Sequence, residues 1–425
     1  MSARPAVVVL AAGKGTRMRS DLPKALQRLC GVPMLEVLLD TVRDLKPART
    51  VVVAGHRFAE VRGALNTRRG AVRLVRQAAL LGSGHAVMQA QRALGGFRGP
   101  VMVLYCDTPL LTDGTLRALL ADHAAHATDC TLLAAETECP DGYGRILRGH
   151  DGAVRGVIEE NDASEAEKAI RQVNVGAYVF RSGAVFAALR KVRRNPKKKE
   201  YYLTDAVGIL ASEGRVRAVV TRDREEVLGV NTLRELAQAQ GIFQRRVIDR
   251  HLESGVRVRD PRTTTIDADV RIGAGTVIEP HTALEQGSVI GRDCVIGPFA
   301  RVRGASLIAD RAVIGNFVEV VRSVVGARSQ AKHLSYLGDA RLGRGVNVGA
   351  GTITANFDGR RKHLTRVGDG ARLGSGTVLI APVTVGRAAV TGAGAVLTKG
   401  TRVPAGATVA GVPARPLKTG KKGRS

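Results

Sequence analysis

The sequence predicts two folds in one chain: an α/β domain with a mostly parallel sheet, followed by a parallel β-helix. In the first half, strand-like and helix-like segments alternate, and the first strand-like run, VVVL at residues 7–10, leads directly into a glycine-rich turn. In the second half, glycine and aliphatic residues recur every six positions. A chain of 425 residues is also too long for one ordinary hydrophobic core, so at least two domains are expected.

The turn after the first strand carries three cations, Lys14, Arg17 and Lys24. Backbone N–H groups and these side chains together suit a triphosphate. The turn is neither a Walker A loop nor a dinucleotide fingerprint, because Met18 stands where the latter needs its third glycine. From the residues alone, an ordinary strand-to-helix turn stays open as the alternative.

Further strand-like segments follow at residues 50–54, 72–75, 101–105, 130–135 and 173–180, and helix-like segments at 33–45, 83–94 and 112–125. In such a sheet, ligand-binding residues follow the carboxyl ends of the strands. Asp107 follows one strand, where its carboxylate could bind Mg²⁺ or cap a helix or turn that begins near Thr108-Pro109. Gln77 follows another, where its amide would match the edge of uracil, with a surface loop as the alternative.

A helix-like stretch at residues 232–253 separates the two halves. Beyond it, Gly273, Gly291, Gly297 and Gly315 lie multiples of six apart, which is typical of a prism of short parallel strands with stacked aliphatic side chains. The exposed ends of such a prism need covering, and its coils favour association of subunits. The predicted division is a first domain at 1–230, a linker helix at 231–255, a repeat domain at 256–414 and a basic tail at 415–425.

Composition limits the classes of partner. The net charge of +27 would suit nucleic acid, an anionic membrane or acidic small substrates. Tryptophan is absent and aromatic residues make up 3 %, which argues against a nucleic-acid surface built on base stacking. We interpret the basic runs at residues 190–199 and 415–424 as solvated loops or tails, and the phosphates of small substrates as the partners of the buried cations.

Cysteine spacing and hydropathy indicate the compartment. The five cysteines show neither paired nor metal-ligand spacing, which favours a reducing environment. The early apolar run at residues 6–12 is too short to span a membrane and lacks the flanking features of a signal peptide. We therefore expect a cytoplasmic protein with no membrane or nucleic-acid partner.

Two runs of sequence resemble a known family. LAAGKGTRM at residues 10–18, followed by SDLPK at 20–24, resembles the signature of sugar-phosphate nucleotidyltransferases. AKHLSYLGD at 331–339 resembles the acetyltransferase site of the bifunctional N-acetylglucosamine-1-phosphate uridylyltransferases and glucosamine-1-phosphate N-acetyltransferases. The resemblance implies a Rossmann-like nucleotidyltransferase (pyrophosphorylase) domain, a left-handed β-helix of hexapeptide repeats that is an acyltransferase, and a homotrimer.

The resemblance also implies the substrates. They are UTP, glucosamine-1-phosphate and acetyl-CoA, with N-acetylglucosamine-1-phosphate as the intermediate and Mg²⁺ as the cofactor. The product would be UDP-N-acetylglucosamine, a precursor for peptidoglycan and cell wall synthesis.

In the first half, the resemblance implies that Arg17 and Lys24 stabilise phosphate charge, and that Asp107 and Asn231 hold Mg²⁺ and contact substrate. Other substrate-binding positions carried over by the resemblance are Leu10, Ala11, Ala12, Gly13, Gln77, Gly82, Ser83, Tyr105, Gly144, Glu159 and Asn174. As individual residues, the last two could equally be an exposed carboxylate and a satisfied strand residue.

In the second half, the resemblance assigns His333 as the general base that takes a proton from the glucosamine amine as the amine attacks the acetyl thioester. From the residue type alone, a structural histidine is the alternative. The positions that match sugar-phosphate or acetyl contacts are Arg303, Tyr336, Asn347 and Asn356, and those that match coenzyme A contacts are Ala350, Ser375, Ala393 and Arg415.

Four positions depart from the family pattern. Cys106 replaces a glycine beside the metal-binding aspartate, Val321 replaces a lysine, Phe357 replaces a tyrosine, and an arginine expected before Val412-Pro413 is absent. Arg322 follows Val321, but neighbouring strand residues point to opposite faces, so Arg322 would replace the lysine only after a register shift. Two alternatives therefore stay open. One is a transferase that joins UTP or dTTP to another sugar 1-phosphate, with an acetyltransferase of altered acceptor. In the other, the β-helix serves only for trimerisation.

Overall fold

The computed structural model of the protein describes residues 4–65 and 72–417. They belong to two compact units. The first extends to Leu29 and from Pro33 to Gly241, and the second comprises Cys30–Val32 and the chain from Ile242 onward. The change of unit falls within the helix Leu233–Glu253, inside the range predicted for the linker. The ends of the four predicted ranges stay predictions.

The first part of the chain alternates strands and helices, as predicted. Its strands are β1 (Ala6–Ala11), β2 (Arg28–Leu29), β3 (Val32–Pro33), β4 (Arg49–Ala54), β5 (Arg73–Arg76), β6 (Pro100–Tyr105), β7 (Cys130–Glu136), β8 (Gly144–Arg148), β9 (Val154–Ile158), β10 (Gln172–Arg181) and β11 (Val216–Thr221). Its helices are α1 (Met34–Asp44), α2 (Phe58–Leu65), α3 (Ser83–Ala90), α4 (Asp113–His126), α5 (Glu165–Lys168), α6 (Ser182–Lys191), α7 (Leu203–Ser212) and α8 (Leu233–Glu253), with 3₁₀ turns at Thr16–Met18 and Lys24–Leu26. The main sheet has the order β11-β7-β10-β6-β1-β4-β5, and β8 pairs with β10 and β9.

Strand β1 lies in the middle of this sheet and is buried on both faces. Val7 and Val9 pack into one hydrophobic cluster, and Val8 and Leu10 pack into another. Because side chains alternate along a strand, a continuous apolar run fits a central strand covered on both sides. β1 runs parallel to β6 with Leu10 opposite Tyr105, so the turns that follow the two strands lie at the same edge.

The main sheet is mostly parallel, as predicted, and strand β10 is the exception in its strand order. It is antiparallel to β6 and β7. The sequence did not indicate this direction, because an apolar run predicts a strand but not which way the strand runs. Asn174, near the start of β10, therefore reaches the edge at which β6 ends. Gly176 allows the bulge after Asn174: its φ is 84°, and a Cβ there would lie 3.0 Å from the Tyr105 ring.

Other differences from the prediction are local. The helix predicted at residues 83–94 ends at Ala90 and is followed by turns at residues 91–96. Helices α2, α5, α6 and α7 and strands β8, β9 and β11 were absent from the prediction.

The second unit is a β-helix whose short strands stack into three sheets. The first sheet contains Arg257–Val258, Val277–Ile278, Val295–Ile296, Val313–Asn316, Gln330–His333, Asn347–Val348, Arg372–Leu373, Val390–Thr391, Thr408–Ala410 and Arg415–Pro416. The second contains Thr265–Ile266, Ala283–Leu284, Arg301–Arg303, Glu319–Val321, Tyr336–Gly338, Ile353–Ala355, Val378–Ile380 and Val396–Leu397. The third contains Arg271–Ile272, Val289–Ile290, Leu307–Ile308, Val324–Val325, Ala340–Leu342, Thr365–Val367, Val383–Val385 and Arg402–Val403.

The six-residue repeat places one aliphatic side chain of each strand inside the prism. In the second sheet, Ile266, Leu284, Val302, Val320 and Leu337 pair in register along successive coils, and each is at most 1 % exposed. Such stacking is the reason that the repeat predicts this fold.

Both ends of the prism are covered. Val247 and Ile248 of α8 are buried in the same cluster as Val256 in the first coil. At the other end, Arg415–Pro416 turns back and pairs antiparallel with Thr408–Ala410, which closes the first sheet.

Candidate active sites

A cavity of about 520 Å³ lies at the edge where β1 and β6 end. The predicted residues that line it are Leu10, Ala11, Ala12, Gly13, Arg17, Lys24, Gln77, Gly82, Ser83, Tyr105, Asp107 and Asn231. Gly144, Glu159 and Asn174 are not among the lining residues. The cationic turn after β1 and the carboxylate after β6 thus share one environment.

Gly15 allows the cationic turn to fold back on Lys24. Its φ is 61°, and a Cβ at this position would lie 2.7 Å from the Cβ of Lys24. In the 3₁₀ turn that follows, Met18 is buried while Arg17 is exposed and reaches the cavity. Met18, whose presence excludes a dinucleotide fingerprint, therefore packs into the protein interior.

Two oxygen atoms converge on one cation in this cavity. Lys24 Nζ lies 2.5 Å from Asp107 Oδ2 and 2.8 Å from Asn231 Oδ1, and Arg17 Nη2 donates to the same amide oxygen at 2.8 Å. A carboxylate and an amide oxygen around a single positive charge fit Mg²⁺, which takes its remaining ligands from water and phosphate. Within residues 4–65 and 72–417, no cluster of three or more His, Cys, Asp or Glu side chains is arranged to hold a metal.

Backbone contacts hold Asp107 and Asn231 in place. Val230 N donates to the carbonyl of Asp107 at 2.7 Å. The backbone N–H groups of Asn231 and of the residue after it both donate to the Glu235 carboxylate at 2.7 Å, which caps the start of α8. The side chain of Thr112, not that of Asp107, caps α4. In the turn near Thr108-Pro109, the Tyr105 carbonyl accepts from both the N–H and the hydroxyl of Thr108, while the Asp107 carboxylate pairs with Lys24.

The other side of the cavity is built from Gln77, Gly82 and Ser83. Gln77 is 3 % exposed, and its Nε2 donates to the Gly82 carbonyl at 3.0 Å. Gly82 has a φ of 95°, and a Cβ there would lie 2.6 Å from the Tyr201 carbonyl oxygen. Ser83 Oγ accepts a hydrogen bond from Leu203 N at 3.0 Å.

Asn174 and Gly144 lie together behind this cavity. Asn174 Nδ2 donates to the Tyr178 hydroxyl at 2.7 Å, and a Cβ on Gly144 would lie 3.7 Å from the Cβ of Asn174. The Tyr178 ring is 6.4 Å from the ring of Tyr105, which lines the cavity. Both side-chain polar atoms of Asn174 have protein partners, as a satisfied strand residue would.

Glu159 is largely buried rather than exposed, so the exposed-carboxylate alternative is wrong. Its Oε1 accepts a hydrogen bond from Thr204 Oγ1 at 2.9 Å. Burial raises the pKa of Glu159, and the hydrogen bond from Thr204 opposes this effect more weakly.

Cys106 lines the cavity but is only 7 % exposed, and it packs in the same cluster as Leu104 and Leu111. Burial raises the pKa of its thiol to about 12. Most of the side chain that replaces glycine therefore lies within the protein core. Glu200 also lines the cavity but was missed, because it ends a basic run that suggests only a solvated loop.

In the second unit, His333 lies at the end of a strand and is exposed. Its Nδ1 lies 2.8 Å from Oδ1 of Asn316 in the preceding coil. With the amide oxygen as acceptor, the proton is on Nδ1 and Nε2 keeps its lone pair, as base catalysis requires. Asn316 was missed because only the register of the coils brings it beside His333.

Three of the four residues predicted to contact coenzyme A fall in one column with His333. Ala331, Val348, Leu373 and Thr391 pair in register along the first sheet. Two residues further along each coil stand His333, Ala350, Ser375 and Ala393. Arg415 lies on the terminal antiparallel strand of the same sheet, outside this column.

Arg322 lies at a corner of the coil rather than within a strand. The strand ends at Val321, and Arg322 has a φ of 49°, so the alternation of strand side chains does not apply to it. The predicted need for a register shift is therefore wrong. Val321 is fully buried, whereas the Arg322 guanidinium donates two hydrogen bonds of 2.7 Å to the Asp339 carboxylate.

Most of the residues predicted to bind the sugar phosphate lie near Arg322. Arg303, one coil earlier, accepts the Arg322 N–H at its carbonyl and donates from Nε to Glu319 at 2.7 Å. Asn356 donates to Asp339, and Tyr336 lies on the same sheet as Arg303. Asn347 lies apart from them on the first sheet, opposite Gln330.

The other two positions that depart from the family pattern lie at the surface. Phe357 is 59 % exposed and forms an isolated bridge with Lys362 in the loop after Ile353–Ala355. Val412 is 73 % exposed.

The fold and these sites define a class: a nucleotidyltransferase domain joined to a hexapeptide-repeat transferase. The family model of the MobA-like NTP transferase domain matches residues 7–202, and that of the bacterial transferase hexapeptide (six repeats) matches residues 287–322. The chain is similar to the "Bifunctional protein GlmU" of Streptococcus suis, with 40 % identity over 92 % of each chain. It is 43 % identical to that of Pelotomaculum thermopropionicum, over 89 % of this chain and 90 % of the relative. The chain belongs to the GlmU family, which confirms the resemblance and the left-handed β-helix it implies.

Proposed function

We propose that the protein makes UDP-N-acetylglucosamine in two steps. The β-helix transfers the acetyl group of acetyl-CoA to the amine of glucosamine-1-phosphate. The α/β unit then transfers the uridylyl group of UTP to N-acetylglucosamine-1-phosphate and releases pyrophosphate. The observation that carries the proposal is the single cavity in which Lys24, Asp107 and Asn231 meet, and the similarity to GlmU proteins over nearly the whole chain supports it.

Uridylyl transfer needs positioning and neutralisation of charge. An oxygen of the sugar phosphate attacks the α-phosphorus of UTP in line with the leaving pyrophosphate, without a covalent enzyme intermediate. Lys24 and Arg17 stabilise the phosphate charge, and the turn at residues 10–13 brings the backbone close to the nucleotide. Asp107 and Asn231 would hold Mg²⁺, which supplies further charge stabilisation when bound.

Acetyl transfer needs a base for the attacking amine. His333 Nε2 takes a proton from the amine as the amine nitrogen bonds to the thioester carbonyl carbon. When the carbon–sulfur bond breaks, the same proton passes from the imidazolium to the sulfur, and coenzyme A leaves as the thiol. The Asn316 amide holds the other ring nitrogen as a donor and so keeps the base in the required tautomer. Arg303 and Arg322 provide cations for the acceptor phosphate.

The proposal includes a homotrimer in the cytoplasm. Phe299, Phe317 and Leu334 lie at successive coils and are 47 %, 56 % and 61 % exposed, which favours association of subunits. The five cysteines, all within the described part of the chain, form no disulfide, as expected in a reducing compartment. Across residues 4–65 and 72–417, no helix is both long and apolar enough to cross a membrane.

Two variants test the two halves separately. We expect Asp107→Ala to lower pyrophosphate release from UTP and N-acetylglucosamine-1-phosphate by about a hundredfold or more, because a ligand of the metal is lost. We expect His333→Ala to lower thiol release from acetyl-CoA and glucosamine-1-phosphate by about a hundredfold or more. Each variant serves as the folding control for the other, since each should keep the activity of the unchanged unit.

The alternatives are distinct outcomes of these assays. Faster turnover with dTTP or with another sugar 1-phosphate would replace the proposed substrates. If the wild-type protein releases no thiol from acetyl-CoA, the alternative in which the β-helix serves only for trimerisation is favoured. Near-normal pyrophosphate release by Asp107→Ala would refute the assignment of this carboxylate to the metal.

A further inference from the structure

The orientation of the Gln77 side-chain amide is fixed by a backbone carbonyl. Gln77 Nε2 lies 3.0 Å from the Gly82 oxygen, and a carbonyl oxygen can only accept a hydrogen bond. The Gly82 oxygen is itself held in place, since it also accepts a hydrogen bond from Ala86 N at 3.1 Å. Gln77 Nε2, and not Oε1, therefore faces Gly82.

The second hydrogen of the same amide nitrogen points to His85. Gln77 Nε2 lies 3.0 Å from His85 Nδ1, which must therefore accept the hydrogen bond. The ring proton is then on Nε2, which lies 3.1 Å from Gln89 Nε2, so the Gln89 amide must turn its oxygen towards the ring to accept that proton. Burial lowers the pKa of His85, and a hydrogen bond with the Ala79 backbone opposes this more weakly, so the neutral ring that this arrangement needs is favoured.

These two hydrogen bonds leave one polar atom of the Gln77 amide for a ligand. Within residues 4–65 and 72–417, no protein group donates to Gln77 Oε1. An oxygen acceptor matches a base that carries a hydrogen on N3, as uracil and thymine do. Cytosine has an unprotonated N3, so two acceptors would face each other.

We propose that His85 is a specificity-determining positioning residue that holds the Gln77 amide with its oxygen available to the base, so that the cavity selects pyrimidines with an N3–H over cytosine. This inference rests on the proposed function, because it takes a pyrimidine nucleoside triphosphate as the occupant of the cavity. His85 does not line the cavity and acts only through Gln77.

The test compares UTP with CTP as the nucleotide donor to N-acetylglucosamine-1-phosphate. Replacing His85 by Phe keeps a ring but removes the acceptor, so the amide loses one of its two hydrogen bonds and turns more easily. We expect the ratio of kcat/KM for UTP to kcat/KM for CTP to fall by about three- to tenfold in His85→Phe. In His85→Asn, the side-chain oxygen can replace Nδ1 as acceptor, and we expect the ratio to stay close to that of the wild type.

A double substitution separates positioning from a purely structural role. Gln77→Leu removes the amide, so adding His85→Phe to it should leave the UTP to CTP ratio unchanged. Should His85→Phe fail to fold, as judged by thermal unfolding, His85→Leu carries the same expectation. An unchanged ratio in a folded His85→Phe or His85→Leu protein would overturn the inference alone. Wild-type protein that uses no pyrimidine triphosphate would overturn both the inference and the proposed function.

Discussion

At the scale of single residues, Lys24 occupies the position that we propose for a divalent cation. Its ammonium lies between the carboxylate of Asp107 and the amide oxygen of Asn231, at 2.5 and 2.8 Å. Under the proposed assignment of these two oxygens to Mg²⁺, we expect Lys24 to compete with the metal until nucleotide phosphates attract the ammonium away. The Lys24 side chain is 12 % exposed and that of Asp107 is 25 % exposed, so solvent only partly screens the attraction between the two charges.

This competition can be measured without turnover. In Lys24→Met, we expect Mn²⁺ to bind about tenfold more tightly than in the wild type in the absence of nucleotide, because the resident positive charge is gone. Electron paramagnetic resonance of free Mn²⁺ gives the affinity. Arg17→Met is the matched control and should change it less, since Arg17 contacts Asn231 but not Asp107. Weaker Mn²⁺ binding by Lys24→Met would contradict this interpretation.

Ionisation of Glu159 lowers the stability of the folded protein by an amount that depends on pH. Because burial raises its pKa above that of the unfolded chain, the folded state binds the proton more tightly. The cost of ionisation is absent below the ordinary carboxyl pKa, and it grows as pH rises from there through the raised value. We expect Glu159→Gln to raise the melting temperature more at pH 8 than at pH 4. The control is Glu165→Gln, because the Glu165 side chain is 91 % exposed. An equal rise in the melting temperature of Glu159→Gln at both pH values would contradict the prediction.

Local sequence predicts the residues of the site that follow a strand or lie in a short run. The cationic turn and Asp107 belong to this group, because strand ends converge at one edge of a parallel sheet. Asn316 and Arg322 do not, since their roles depend on which coil lies above which and on a corner with positive φ. His85 was also missed as a partner of Gln77, because a half-buried histidine on a helix gives no signal in the sequence.

At the scale of secondary structure elements, the β-helix relies on close contact between the backbones of neighbouring coils. A Cβ on Gly315 would lie 1.9 Å from the carbonyl oxygen of Lys332 in the next coil. Gly345 is different: it has a φ of 62°, but a Cβ there would meet nothing within 4 Å.

These two glycines form a matched pair for measuring that contact. We expect Gly315→Ala to lower the free energy of unfolding of the β-helix by about 2–3 kcal/mol, because the coils must separate. Gly345→Ala should cost about 1 kcal/mol, for the left-handed backbone alone. Circular dichroism during chemical denaturation measures both, and equal losses would show that the coils adjust freely.

The elements themselves were predictable where hydrophobic periodicity was strong. The prediction found β1, β6 and the six-residue repeat because their apolar residues follow a fixed spacing. It missed the direction of β10 and the short strands β8 and β9, which depend on tertiary pairing rather than on local pattern.

At the scale of the whole molecule, the two proposed activities belong to separate units and exchange a small intermediate. A mixture of Asp107→Ala and His333→Ala proteins should therefore convert glucosamine-1-phosphate, acetyl-CoA and UTP fully to UDP-N-acetylglucosamine. Either variant alone should stop at one step. Chromatography of the products over time, with wild-type protein as the reference, measures this. Failure of the mixture, with each single activity intact, would mean that the intermediate does not leave the protein.

The stacked coils also accommodate insertions. In the first sheet, Asn347 pairs with Arg372, and Arg372 pairs with Val390. The chain between Asn347 and Arg372 contains an extra loop with the Phe357 bridge, yet the strands on either side still pair in register. Added residues at a corner bulge outwards and leave the rungs on either side aligned. The loss of one residue inside a strand would instead turn its aliphatic side chain out to water and a polar one into the prism. Length variation among related chains should therefore concentrate at the corners, where new binding loops can arise without disturbing the scaffold.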